Sequence, residues 1–322
     1  MKIGLFPLRK DPPLSGEFKS TLAIEKILKK IGNDIVRVTY QKTEGLSIET
    51  WFSITLLIKT ALILKQQDID FAIIEIPTIA QMPLVNPFLY STQKPVIILL
   101  GSLCPYRTNT GNFLREFYHE PIIALSKRII NHRWWGKLSF VAPYMIIGSS
   151  SAQIEQARSI LGDNIRYELI PNCSLTDNST GRQQLFSKKK TVIGYLGHSW
   201  AYKGCIEVIE SKKFLKSSED YIFVAAFSNF GSKSVRKIWE EMGGINVGSV
   251  NVQEFLNSVD ILCQPMYSDF GTRVFPNVLL EAMQHGTPLI TTRLRSTLEL
   301  LGENPPFPLL NNSSGREVAL AI

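Results

Sequence analysis

Only four cysteines and four histidines occur among the 322 residues of this chain. Cys104, Cys173, Cys205 and Cys263 lie far apart with no paired spacing, which excludes a disulfide framework and a zinc-binding cysteine cluster. His119, His132, His198 and His285 form no group at metal-ligand spacing, so no metal and no other cofactor is expected. No apolar run reaches the roughly 20 residues that a membrane-spanning helix needs. The longest, residues 51–64, contains Lys59 and fits a helix packed under a sheet, with a membrane-dipping helix as the alternative. The amino terminus, MKIGLFPLRK, lacks the order of a signal peptide. These absences fit a reducing cytoplasm, either free or peripheral at the inner face of a membrane.

The charge is uneven. Residues 1–190 hold 24 Lys and Arg against 15 Asp and Glu, a surplus of nine, whereas residues 191–322 hold 11 against 13. A basic first half suits an anionic acceptor or an anionic membrane surface, and it equally suits a solvated face. Residues 115–137 place Trp134 and Trp135 among Arg115, Lys127, Arg128, Arg133 and Lys137, a pattern for a lipid–water boundary or for a solvated helix with buried tryptophans. The basic residues are scattered and form no nucleic-acid module, so no nucleic-acid partner is expected.

The order of elements is that of parallel α/β sheets. Residues 2–7 form a strand that opens into a loop with Gly16, a helix ends at Gly32, and a strand follows at 35–40. Further strands are expected at 71–77, 96–101, 144–148 and 167–172, with a serine turn at 149–151 leading to a helix ended by Gly162. A polar linker at 174–190 separates a domain of residues 1–173 from one of residues 191–322. The second domain continues with strands at 191–197, 221–227, 245–250 and 260–265 and a helix over VQEFLNSV. A last helix is capped at Ser313 or Ser314.

Residues 269–292, DFGTRVFPNVLLEAMQHGTPLITT, carry the most chemistry. A loop with Gly271 precedes a helix that begins near Pro276 and stops at Gly286 and Pro288. Its apolar stripe is Val278, Leu279, Ala282 and Met283, which leaves Glu281 bordering the core without being buried in it. The free amides and positive dipole end of the helix face the loop Gly271-Thr272-Arg273-Val274 and suit a phosphate.

This stretch resembles the signature of the glycosyltransferase group 1 family, E-x-F-G-x-x-x-x-E-A-M-A-x-G-x-P-V-I. Glu281-Ala282-Met283, Gly286, Pro288 and Ile290 match in order and spacing. Earlier, Gly197, Lys203 and Gly204 keep the spacing of the family's G-R-L-x-x-x-K-G, with His198 at the arginine position, and Ile170-Pro171-Asn172 match its V-I-P-N-G-V-D, with Cys173 at the glycine. The resemblance implies the GT-B fold, two Rossmann-like domains with parallel sheets facing an interdomain cleft, and a carboxyl-terminal end that looks truncated. It implies a retaining transfer of a hexosyl group from a nucleotide-sugar, a UDP- or GDP-sugar first, to a glycan, glycolipid or other anionic acceptor in surface polysaccharide, lipopolysaccharide or glycolipid assembly. Glu281 would hold the donor ribose. Gly16, Gly197, His198, Lys203, Asp269, Gly271, Thr272 and Val274 would contact the donor.

Arg273 stands where the family has its first catalytic glutamate. An arginine cannot accept a hydrogen bond, so Arg273 favours an acidic group or supplements the diphosphate site. Many relatives carry a histidine after the strand at 96–101, where this chain has Gly101-Ser102-Leu103. These departures keep a second reading open, an inactive GT-B relative that binds a sugar nucleotide or serves as a scaffold.

Overall fold

The computed structural model describes residues 1–7, 16–37, 62, 68–76, 94–101, 143–171, 189–268 and 276–322. They fall into two compact units, the described residues up to 171 in the first and those from 189 in the second.

The first unit is built on a sheet of six parallel strands. These are β1 (Lys2–Pro7), β2 (Asp34–Arg37), β3 (Phe71–Ile76), β4 (Val96–Leu100), β5 (Met145–Gly148) and β6 (Arg166–Leu169), ordered β2-β1-β3-β4-β5-β6. Helix α1 (Gly16–Lys30) joins β1 to β2, and Ile24 and Leu28 pack on Ile3, Leu5 and Ile73. Helix α2 (Ser151–Leu161) starts where the serine turn predicts: the Ser150 hydroxyl accepts from the Gln153 amide, and Gly162 ends the helix at φ +83°. The strand expected at 35–40 is described as β2 up to Arg37, the last described residue there, and the one expected at 167–172 begins at Arg166 and ends at Leu169 as β6. The apolar run at 51–64 lies outside the described residues except for Leu62, as do the basic–tryptophan region at 115–137 and most of the linker. Among the described residues no helix is long and apolar enough to cross a membrane.

The second unit has the order β12-β11-β10-β7-β8-β9, again all parallel. Its strands are β7 (Thr191–Ser199), β8 (Tyr221–Gly231), β9 (Ile245–Asn246), β10 (Ile261–Gln264), β11 (Leu289–Thr292) and β12 (Leu309–Leu310). Its helices are α3 (Cys205–Ser211), α4 (Lys233–Glu241), α5 (Val252–Ser258), α6 (Asn277–His285), α7 (Arg295–Leu301) and α8 (Gly315–Ala321). Because side chains alternate along a strand, each strand feeds two cores. Ile193, Tyr195, Phe223, Ala225 and Phe227 face one side, where α3, α4 and α8 cover them with Ile209, Trp239 and Val318. Val192, Val224 and Ala226 face the other, under Phe255, Leu256, Leu279 and Ala282 of α5 and α6. Strands covered on both faces explain the near-continuous apolar runs of the sequence.

Two predicted boundaries move. The strand expected at 245–250 stops after Asn246, because the Asn246 side chain accepts from the Gly248 amide at 3.1 Å and Gly248 turns the chain at φ +70°. Pro276 precedes α6 as its cap residue rather than lying in its first turn.

Candidate functional site

The two central strands of the second sheet, β7 and β10, are neighbours, yet the chain leaves β7 towards β8 and β10 towards β11. Their carboxyl ends therefore part around a crevice, the place where open α/β sheets bind ligands. The structure brings Gly197, His198 and Lys203 of the predicted residues to this point.

Gly197 and His198 end β7. Gly197 has φ +148°, and the pairing with β8 slips between Gly197 and Ser199. A bulge at a sheet rim re-aims the side chains beside it. His198 Nδ1 and Ser228 Oγ share a hydrogen bond. The His198 carbonyl accepts from the Tyr195 hydroxyl at 2.8 Å. Burial first, and then Cys205, push the Tyr195 phenol well above its ordinary pKa, so it remains a donor at any working pH.

Lys203 and Gly204 follow in a tight turn, Ala201–Lys203, closed by the Lys203 amide on Trp200 O at 3.0 Å and the Gly204 amide on Ala201 O at 3.1 Å. Gly204 is left-handed, φ +83°, and a Cβ there would lie 2.2 Å from the Pro265 carbonyl oxygen. Only glycine allows the turn to rest on the end of β10. A second tie runs from the Tyr267 amide to Tyr202 O at 3.3 Å. The Lys203 ammonium sits 5.6 Å from the centre of the Tyr202 ring, within cation–π range.

The strand ends are stitched together by side chains. Gln264 of β10 donates to Leu196 O of β7 at 2.8 Å, and Thr291 of β11 donates to Gln264 O at 2.9 Å. From β10 the chain leads to α6, whose first turn has no side-chain cap and whose Leu279 amide bonds Pro276 O at 3.0 Å. Glu281 lies one turn into α6 and is only 4% exposed. This corrects the expectation of a carboxylate at the border of the core. On a helical wheel Glu281 sits about 200° from Leu279, and both are buried, so α6 is covered on opposite sides at this level. Met283, expected in the apolar stripe, is instead 45% exposed.

Asp269, Gly271, Thr272, Arg273 and Val274 lie outside the described residues, which stop at Ser268 and resume at Pro276. Gly16 opens α1 in the first unit, separate from the others. Among the described residues no three metal-ligating side chains gather. The D-x-D sequence Asp68-Ile69-Asp70, a pattern that sequence reasoning took to be absent, precedes the amino end of β3. Its Asp70 carboxylate accepts from the Lys2 amide at 2.7 Å, which ties β3 to β1.

Sequence reasoning also missed Arg236 of α4. Its Nε donates to Ser199 Oγ at 3.0 Å and its Nη2 to Ser228 O at 3.0 Å, so it stands behind the His198–Ser228 pair. The available signal was Ser228 and Ser232 around the end of β8, with Arg236 one turn into the following helix.

Residues 190–322 match the family model described as Glycosyl transferases group 1. No curated protein matches the chain. Among solved structures, Anabaena Alr3699/HepE in complex with UDP and glucose aligns with TM-score 0.67 at 15% identity, covering 98% of this chain and 88% of that one. The S. aureus MnaA–UDP structure aligns with TM-score 0.58 at 12% identity over 99% and 86%. A lipopolysaccharide outer core galactosyltransferase, WaaB in its apo form, aligns with TM-score 0.53 at 13% identity over 91% and 80%. At these identities the likeness shows a shared GT-B architecture.

Proposed function

With residues 190–322 matching the family model described as Glycosyl transferases group 1, we propose that the chain transfers a hexosyl group from a nucleotide-sugar to a glycan or glycolipid acceptor, with retention at the anomeric carbon. The observation that carries this reading is the Lys203-Gly204 turn packed on Pro265. In this reading the turn, tied to the end of β10 through Pro265 and Tyr267, offers Lys203 as the cation of the donor motif.

In this reading Lys203 and the amides of the α6 end hold the donor diphosphate, and the buried Glu281 accepts from the ribose hydroxyls. The bond from the anomeric carbon to the diphosphate oxygen breaks, its electron pair leaving with the diphosphate, where the cation and amides stabilise the new charge. The acceptor oxygen forms the new bond on the same face and gives its proton to the departing diphosphate. Arg273 and the other residues of the 269–274 loop would complete the donor site. The basic first unit would take an anionic acceptor, in polysaccharide, lipopolysaccharide or glycolipid assembly at the inner face of a membrane.

Calorimetric titration with UDP, GDP, ADP and TDP tests the donor site. One diphosphate is expected to bind and to bind at least about tenfold more weakly to Glu281→Ala and Lys203→Ala proteins. UDP is the first probe, since HepE and MnaA were solved with it. Failure of all four to bind would remove the transferase reading.

A further inference from the structure

The family motif places an arginine at the position held here by His198, and an imidazole is only partly charged near neutral pH. Among the described motif residues, a donor diphosphate would then meet one flexible ammonium, that of Lys203. Arg236 supplies what is missing. It projects from α4, yet its guanidinium reaches the carboxyl ends of both β7 and β8, bonding Ser199 Oγ and Ser228 O at 3.0 Å each. Ser228 in turn holds His198 Nδ1.

Three features set this cation apart from a structural clamp. It is half-buried, and it forms no ion pair with any carboxylate among the described residues. Its described bonds occupy Nε and Nη2 only, which leaves donors of the planar fork available. Both of its partners are neutral oxygens at the rim of the sheet that binds the ligand. A half-buried guanidinium without a counter-charge can turn its remaining donors to an anion.

We propose that Arg236 carries a permanent positive charge of the donor diphosphate site, behind the His198–Ser228 pair. The inference rests on the transferase reading of the same crevice. It deepens that reading by assigning the charge to a residue outside the motif. The Ser199 and Ser228 bonds fix the fork in place, so an anion binds a guanidinium already oriented for it.

The full chain is titrated with UDP and, by saturation-transfer NMR, with uridine, in wild type, Arg236→Lys, Arg236→Gln and Arg236→Met, each at low and high salt. Both charge-free variants are expected to lose about tenfold in UDP affinity, to flatten its salt dependence and to leave uridine binding unchanged. Arg236→Lys, which keeps the charge and loses the oriented fork, is expected to fall between wild type and the charge-free variants in UDP affinity and to keep the salt dependence. Undiminished UDP binding by the charge-free variants overturns the inference while the donor site stands. An equal loss of UDP and uridine, or failure of both charge-free variants to fold, marks Arg236 as a brace of the strand ends and overturns it too. A wild-type chain that binds none of the four nucleoside diphosphates fails the transferase reading itself.

Discussion

Gly204 shows how much of the site hangs on a single missing side chain. Its left-handed conformation and the 2.2 Å that a Cβ would leave to the Pro265 carbonyl make alanine doubly unfavourable. Gly204→Ala is expected to cost about 3 kcal/mol of stability, read by urea unfolding, and to lower UDP affinity as Lys203 is displaced. A second residue-scale prediction concerns the thiols. Cys205 and Cys263 are both buried, and burial pushes the Cys263 thiol far up. A buried, protonated thiol is not a nucleophile. Iodoacetamide at pH 8 followed by mass spectrometry should leave Cys263 unmodified until urea unfolds the second unit, and early labelling would contradict the packing described.

Helices and strands repay the same treatment. Tyr195, Phe227 and Trp239 meet in a cluster where β7, β8 and α4 join, with Phe227 and Trp239 edge to face and their centroids 5.6 Å apart. The Trp239 indole donates to Ile245 O of β9 at 3.2 Å. Trp239→Phe removes that donor and leaves a gap, so a loss of about 2 to 3 kcal/mol is expected by chemical denaturation. Trp239→Ala should cost more.

At this scale the sequence was uneven to read. The turn at Lys203-Gly204 and the helix with Glu281 were legible because both depend on local chemistry, a glycine at a left-handed position and an apolar stripe at helical spacing ended by Gly286. The burial of Glu281 was not, because a count of apolar residues along α6 reveals one covered face and says nothing of what closes over the other. The expected strand at 245–250 failed for a local reason, the Asn246–Gly248 turn, which the apolar pattern outweighed. Arg236 escaped because its partner Ser199 lies 37 positions earlier, and only the β7–β8 pairing brings them together.

For the molecule as a whole, the donor reading assigns one unit to the nucleotide. Hydrogen–deuterium exchange with and without UDP should show protection concentrated in residues 197–204, 264–268 and 276–281. The strands at 2–7, 71–76 and 96–100 should change little. Protection spread evenly over both sets would argue against a donor site confined to the second sheet.

The reversal of strand order between β7 and β10 is also a seam. Residues before Gly248 build one side of the second sheet and residues after it build the other, joined along the sheet at Ile193 to Ile261 and Gly194 to Leu262. Across the seam α8 packs on α3, and each core draws side chains from both sides. Neither half owns a finished interior. A gene cut at Gly248, where the turn is open to added atoms, should yield two fragments whose shares of the second unit stay unfolded apart and fold when expressed together. Such a split pair would report on any encounter that brings its halves within reach.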